Sequence, residues 1–262
     1  MNTLDRILAR KELEFKRRQR YRALLERMLA TQPLPIHDPL PVLRRGSGDL
    51  PRLIAELKFR SPSRGEIRAH TRTELPSLVQ AYLEADAQAL STLADYPGFG
   101  GSPLHVREVA RLSGKPVLFK EFVLDPIQVM WARAVGASMV LLLVCALDDA
   151  RLRQLVREVR ALGMEPVVEA ANRDELARAL ATEATIIGIN ARDLRSFAVD
   201  MHKMQDLLAV IPLDRIAVWM SGVHTQEDFA RVQQSRADAL LMGEALMRHD
   251  SPAAALRAMQ SP

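Results

Sequence analysis

A (β/α)8 TIM barrel of the α/β class, preceded by an extra N-terminal helix, is predicted by three features of the sequence. Short β-rich apolar runs alternate with stretches of helical spacing. Eight such runs fall within roughly 210 residues, the count that a closed barrel of this kind needs. No GxGxxG loop follows the first run, as it would in an open doubly wound sheet.

The elements follow in order. Residues 1–45 form a helical extension and linker, and residues 50–262 the barrel. Leu4, Ile7, Leu8, Leu24, Leu25 and Met28 recur at spacings of three and four, which predicts one helix over 3–30. Pro33, Pro35, Pro39 and Pro41 then impose an extended linker, closed by Gly46-Ser47-Gly48. Strands are expected at 53–58, 89–93, 116–120, 138–144, 165–169, 186–190, 216–220 and 239–242. Ser102-Pro103 and Asp125-Pro126 each place a capping side chain before a proline at the first helical position. Thr225 with Asp228 has the spacing of a capping box. Gly136 and Gly163 suit helix C-termini just before a strand. Ser251-Pro252 opens a short alanine-rich helix after the last strand.

Composition narrows the function. The 262 residues are 48% hydrophobic, enough to bury a large core. The net charge of +4 is unevenly placed: residues 1–30 hold nine Lys/Arg and four acids, so they carry +5 and the rest −1. An excess confined to one terminal helix reads as a solvated face, and no nucleic-acid partner is expected. Cys145 is the only cysteine, which fits a reducing cytoplasm. The longest apolar run, Met139 to Leu147, falls short of the roughly 20 residues a membrane span needs, so no membrane partner is expected. The N-terminus lacks the apolar stretch of a signal peptide. His37, His70, His105, His202, His224 and His249 are scattered without ligand spacing, and no metal is expected.

A barrel of this class works at the C-terminal ends of its strands. Reading only those ends collects Glu56 and Lys58, Ser91 and Asp95, Lys120, Glu169, Asn190 with Arg192, Met220-Ser221-Gly222, and Gly243-Glu244. Buried strand ends desolvate ionisable groups and bring lysine and glutamate towards neutral pKa values, where proton transfer is useful. A set of unpaired buried charges is too costly for folding alone, so the group reads as an active site. Gly222 and Gly243, after the last two strands, let backbone N–H groups approach a phosphate. Arg192 beside Asn190 suits a carboxylate, and Phe99 could stack on an aromatic ring.

With these residues in view, the chain resembles the indole-3-glycerol phosphate synthase family over nearly its whole length. Leu4-Asp5-Arg6-Ile7-Leu8-Ala9-Arg10-Lys11 is similar to the family's helix ahead of the barrel. Ile54-Ala55-Glu56-Leu57-Lys58 with Ser61-Pro62-Ser63 and Gly65 matches the family signature most specifically. Pro116 to Lys120 with Glu121-Phe122 and Asp125-Pro126, Ile187 to Leu194, and Gly243 to Arg248 match as well.

The resemblance implies closure of 1-(2-carboxyphenylamino)-1-deoxyribulose 5-phosphate to an indole, with loss of carbon dioxide and water and no cofactor. Lys120 becomes the general acid, Glu169 a proton carrier in the dehydration, and Lys58 a second cation or acid oriented by Glu56. Arg192 and Asn190 would hold the anthranilate part, with Phe99 and Pro62 lining its pocket. Ser61, Ser221, Gly222, Gly243 and Glu244 would bound the phosphate, next to Met220. The implied partner is a small phosphorylated substrate. A monomer or weak homodimer is implied too, with contact to other tryptophan-pathway enzymes.

The chain also departs from the family. Met220 stands where the family typically has a glutamate, and a thioether neither balances a lysine nor moves a proton. Glu121 replaces an aspartate, Phe119 is unusual, Ala94 replaces a common threonine, and Ala170-Ala171 is plainer than the usual pattern. Met220 and Phe119 motivate one alternative, a paralogue acting on a modified anthranilate adduct; a weakly catalytic phosphosugar-binding or partner-docking barrel is another. The loop from Ser61 to His70, with Arg64 and Arg68, is placed to close over a ligand.

Overall fold

The computed structural model describes residues 3–31, 33–61, 65–69, 71, 73–190 and 201–260. At its centre is a closed barrel of eight strands. They are β1 (Arg52–Leu57), β2 (Ala89–Leu93), β3 (Val117–Lys120) and β4 (Met139–Leu143), then β5 (Glu165–Ala170), β6 (Ile186–Asn190), β7 (Ile216–Met220) and β8 (Ala239–Met242). Every pairing is parallel and joins chain neighbours, and β1 closes the ring against β8. All eight predicted runs are therefore strands.

Alternate side chains point to opposite faces of each strand. Ile54, Leu118, Leu141, Val167, Val218 and Leu241 form one buried cluster inside the barrel. Leu53, Phe119, Leu142, Val168, Trp219 and Leu240 belong to a second cluster shared with the surrounding helices. Both faces are covered, which is why these strands read as nearly continuous apolar runs.

The predicted helix starts form as expected. Ser102 accepts from the Leu104 N–H at 3.1 Å, Asp125 from Ile127 at 2.9 Å, and Thr225 from Asp228 at 3.2 Å. Gly136 and Gly163 adopt φ +83° and +77° just beyond their helices, a conformation open to glycine at little cost.

Three expectations about the N-terminal part need correction. The helix over 3–30 is two helices, Thr3–Arg18 and Arg22–Thr31, joined by a 3-10 turn at Gln19–Tyr21. They pack on the Pro126–Ala134 helix, where Leu25 meets Ile127 and Ala134 and Arg18 lies 5.2 Å over the Trp131 ring. The basic face is also not wholly solvated, since Lys11 is only 2% exposed. The proline-rich linker, in turn, contains the short helix Leu40–Leu43, with Pro39 as its N-cap and Pro41 in its first turn, where no backbone donor is needed. Leu43 joins the interior cluster and seals the barrel bottom. Arg44 fastens it by donating to the Leu213 and Asp214 carbonyls at 2.7 and 3.0 Å. Among the described residues, no helix is long and apolar enough to cross a membrane.

Candidate active site at the C-terminal mouth

Glu56, Lys120 and Glu169 stand on interior positions of β1, β3 and β5, and Lys58 follows β1 directly. The closed ring brings them together. Lys58 Nζ and Lys120 Nζ each lie 3.3 Å from a different oxygen of Glu56, and the Ser91 hydroxyl donates to that carboxylate at 3.3 Å. Position 243 must be glycine for this to fit: a Cβ there would lie 2.9 Å from Glu56 Oε1 and 3.0 Å from its Cβ.

The three central groups are driven in different directions. Burial opposes charge on Lys120, yet the carboxylates of Glu56 and Glu169 outweigh it and raise its pKa, so the amine stays an ammonium and does not move towards neutrality as burial alone would have it. Burial likewise opposes charge on Glu56, but Lys120 and Lys58 pull its pKa down and keep it an anion. Glu169 goes the other way. Its burial outweighs the attraction of Lys120 and the Asn190 hydrogen bond, and its pKa rises. The set thus holds a proton donor, a fixed counter-ion and a carboxyl able to exchange a proton nearer neutrality.

Asn190, at the end of β6, donates to Glu169 Oε1 at 2.9 Å and accepts from the Ser221 hydroxyl at 2.7 Å. This relay links β5, β6 and β7. Among the described residues, Glu169 Oε2 is buried with no partner, and so is the Ser61 hydroxyl. A natural protein leaves few such groups unless something else satisfies them. Both residues line the same pocket as the lysines.

Opposite them, β7 and β8 end in two tight turns that also line the pocket. Ser221 and Gly222 take φ +82° and +86° in succession. A serine in that region is strained, and strain of this kind collects at ligand sites. The Trp219 indole holds the turn by donating to the Ser221 carbonyl at 3.0 Å. Gly243 is the N-cap of the helix Glu244–Met247 and contributes no side-chain cap. The Glu244 carboxylate is paired with Arg248 at 3.2 Å, so its contribution to an anion is its backbone.

Met220 is 1% exposed and belongs to the barrel's interior cluster. It lies over Gly188, where a methyl group would collide with its Sδ. With Leu141, Leu143 and Leu241 it makes an apolar floor beneath the charged groups. Phe99 closes the helix Tyr96–Phe99, and its ring stands 6.2 Å from that of Phe122 at 37°. Both rings line the pocket.

Of the predicted residues, Glu56, Lys58, Ser61, Phe99, Lys120, Glu169, Asn190, Met220, Ser221, Gly222, Gly243 and Glu244 all line this pocket. Pro62 and Arg192 lie outside the described residues, as does Arg64. Phe119 is fully buried in the cluster facing the helices, so it supports no change of substrate. Arg68 donates to the carbonyls of Met247 and His249 at 3.3 and 3.1 Å, and so is occupied in bracing the C-terminal segment. Sequence reading missed Phe122 and the buried Lys11. An aromatic two places after the lysine of β3 was a usable signal for the first. Among the described residues, no group of three or more His, Cys, Asp or Glu side chains is arranged to hold a metal.

A family model described as indole-3-glycerol phosphate synthase matches residues 4–259. A protein of that name from a Nocardioides species is 37% identical over 260 residues, covering 99% of this chain and 98% of its own. Another of that name, from Koribacter versatilis, is 42% identical over 205 residues, covering 78% of each. Among solved structures, KGPDC from Streptococcus mutans superposes with a TM-score of 0.58 at 14% identity, covering 81% of this chain and 96% of that one. That likeness speaks for the barrel alone.

Proposed function

The chain belongs to the indole-3-glycerol phosphate synthase family, and on that premise we propose that it closes 1-(2-carboxyphenylamino)-1-deoxyribulose 5-phosphate to indole-3-glycerol phosphate. One observation carries the proposal: the Lys120 ammonium, held 3.3 Å from Glu56, shares one pocket with the Glu169–Asn190–Ser221 relay and the two turns of β7 and β8.

In this reading, backbone N–H groups of Ser221, Gly222, Gly243 and Glu244, with the unpartnered Ser61 hydroxyl, receive the phosphate. Phe99 and Pro62 receive the aromatic ring, and Asn190 and Arg192 the anthranilate end. Lys120 gives a proton to the ribulose carbonyl oxygen as the ring carbon bearing the carboxylate attacks the carbonyl carbon. The iminium so formed accepts the electron pair of the breaking C–CO2 bond, so no cofactor is needed. The new hydroxyl then leaves as water. Lys58 serves as second acid, and Glu169, with its raised proton affinity, exchanges a proton in that step. The proposal carries with it a cytoplasmic location and a monomer or weak homodimer that contacts other tryptophan-pathway enzymes.

A fluorescence assay for indole formation from that substrate tests the proposal. Tight binding of the phosphorylated ligand without turnover would replace it with a binding barrel. One feature favours a second reading, a paralogue for a modified anthranilate adduct: Met220 lays a neutral thioether on the pocket floor where a carboxylate is usual in the family. Turnover only with ring-substituted adducts would establish that reading. Met220→Glu separates the two. For the synthase it raises kcat, on the order of tenfold or less because the principal acid is already present. A fall in kcat marks a site adapted to methionine.

A further inference from the structure

Lys11 occupies a place where a helix normally buries an apolar side chain. It continues the stripe of Leu4 and Ile7, both buried, and is itself 2% exposed. Its ammonium meets three carboxylates: Asp95 Oδ1 at 2.7 Å, Glu121 Oε2 at 2.9 Å and Glu14 Oε2 at 3.0 Å. Asp95 and Glu121 are themselves buried, at 0% and 2%. Fastening a helix needs no such arrangement, since an apolar contact does so without the desolvation of three charges.

What the two buried carboxylates do with their other oxygens is more specific. Asp95 Oδ2 accepts from the Gly98 N–H at 2.8 Å and so caps the turn that carries Phe99. Glu121 Oε1 accepts from the Phe122 N–H at 2.8 Å. Each carboxylate thus has one oxygen on Lys11 and the other on the backbone of a segment bearing a pocket phenylalanine. Arg10 adds a second cation to Asp95 Oδ1 at 2.7 Å, on the outer side of the network.

We propose that Lys11 is a positioning residue that sets the spacing of Phe99 and Phe122 and thereby shapes the seat for the substrate's aromatic ring. The inference deepens the synthase reading and rests on it for the identity of the ring. Lys11 does not line the pocket. It acts through two carboxylates on the two segments, while the phosphate turns of β7 and β8 lie outside its network.

The test uses the full chain with two probes, anthranilate for the ring end and inorganic phosphate for the other. Lys11→Met keeps an unbranched side chain one atom shorter and removes its charge. Anthranilate binding should weaken by about tenfold or more, as a misplacement of a fraction of an ångström can. Phosphate binding should stay unchanged, and KM should rise by a larger factor than kcat falls. Glu121→Gln, which retains volume and an acceptor for the Phe122 N–H, should move the same quantities in the same direction by less, and it decides the matter if Lys11→Met does not fold. Equal weakening of both probes would make Lys11 a general anchor and overturn the inference, as would no change in either. Wild-type turnover checks the synthase reading separately.

Discussion

Both ends of the barrel bury a carboxylate to the same depth, and the two are treated in opposite ways. At the N-terminal end, Asp238 is 6% exposed. Its oxygens accept from the Ala217 N–H at 2.8 Å, the Arg236 guanidinium at 2.7 Å and the Arg45 N–H at 3.3 Å. At the C-terminal end, Glu169 is 5% exposed, with one oxygen on Asn190 and the other without a partner among the described residues. Burial alone therefore does not mark a functional carboxylate. For these two the difference lies in satisfaction: the first is completed by its own fold, and the second keeps one oxygen open beside the pocket. The cations differ in their surroundings instead, since Arg236 Nε is itself buried without a partner among the described residues. Arg236 sits beside a structural acid, whereas Lys120 stands between two carboxylates with the pocket beside it.

This contrast can be tested most severely at Lys120. Lys120→Ala should lower kcat by roughly 10²–10⁴, the usual worth of a positioned acid, while the protein stays folded by thermal melting. Near-wild-type turnover would remove Lys120 from its role. Glu169→Gln should reduce kcat by about 10² and at the same time stabilise the protein at neutral pH. The sign follows from its raised pKa. Between the ordinary glutamate value of 4.5 and the raised one, the folded state holds more protons than the unfolded state, so wild-type stability falls as pH rises through that window. Glutamine removes that loss. Melting temperatures of the pair should therefore coincide in acid and separate as pH rises, and a gap that closes with rising pH would contradict the assignment. Asp238→Asn should do the reverse. It costs about 1–3 kcal/mol in chemical denaturation, because a buried charged network loses a partner, and leaves kcat unchanged. A fall in kcat at constant stability would erase the distinction between the two ends.

Much of this was legible in the chain. The eight strands and their helix caps are local matters, written in apolar runs and in pairs such as Asp125-Pro126. The rule that chemistry lies at strand C-termini then collected Lys120, Glu169, Asn190 and the two glycine turns in advance. Lys11 was missed because its charge and its neighbours in a basic helix suggest solvent. Its burial depends on carboxylates 84 and 110 positions away. Phe119 was overread, because a residue next to Lys120 on the same strand points the other way. Of the linker prolines, which looked like breakers, Pro39 is the N-cap of the Leu40–Leu43 helix and Pro41 lies in its first turn.

By itself, the sequence determined the periodicity, hence the barrel, and with it the list of ionisable groups at the strand ends. Periodicity and capping depend on residues a few places apart, so they are readable without coordinates. Only the tertiary structure decided which of those groups are satisfied. Hydrogen-bond partnership and desolvation are set by side chains remote in sequence and adjacent in space, and these leave Asp238 complete, Glu169 open and Lys11 enclosed.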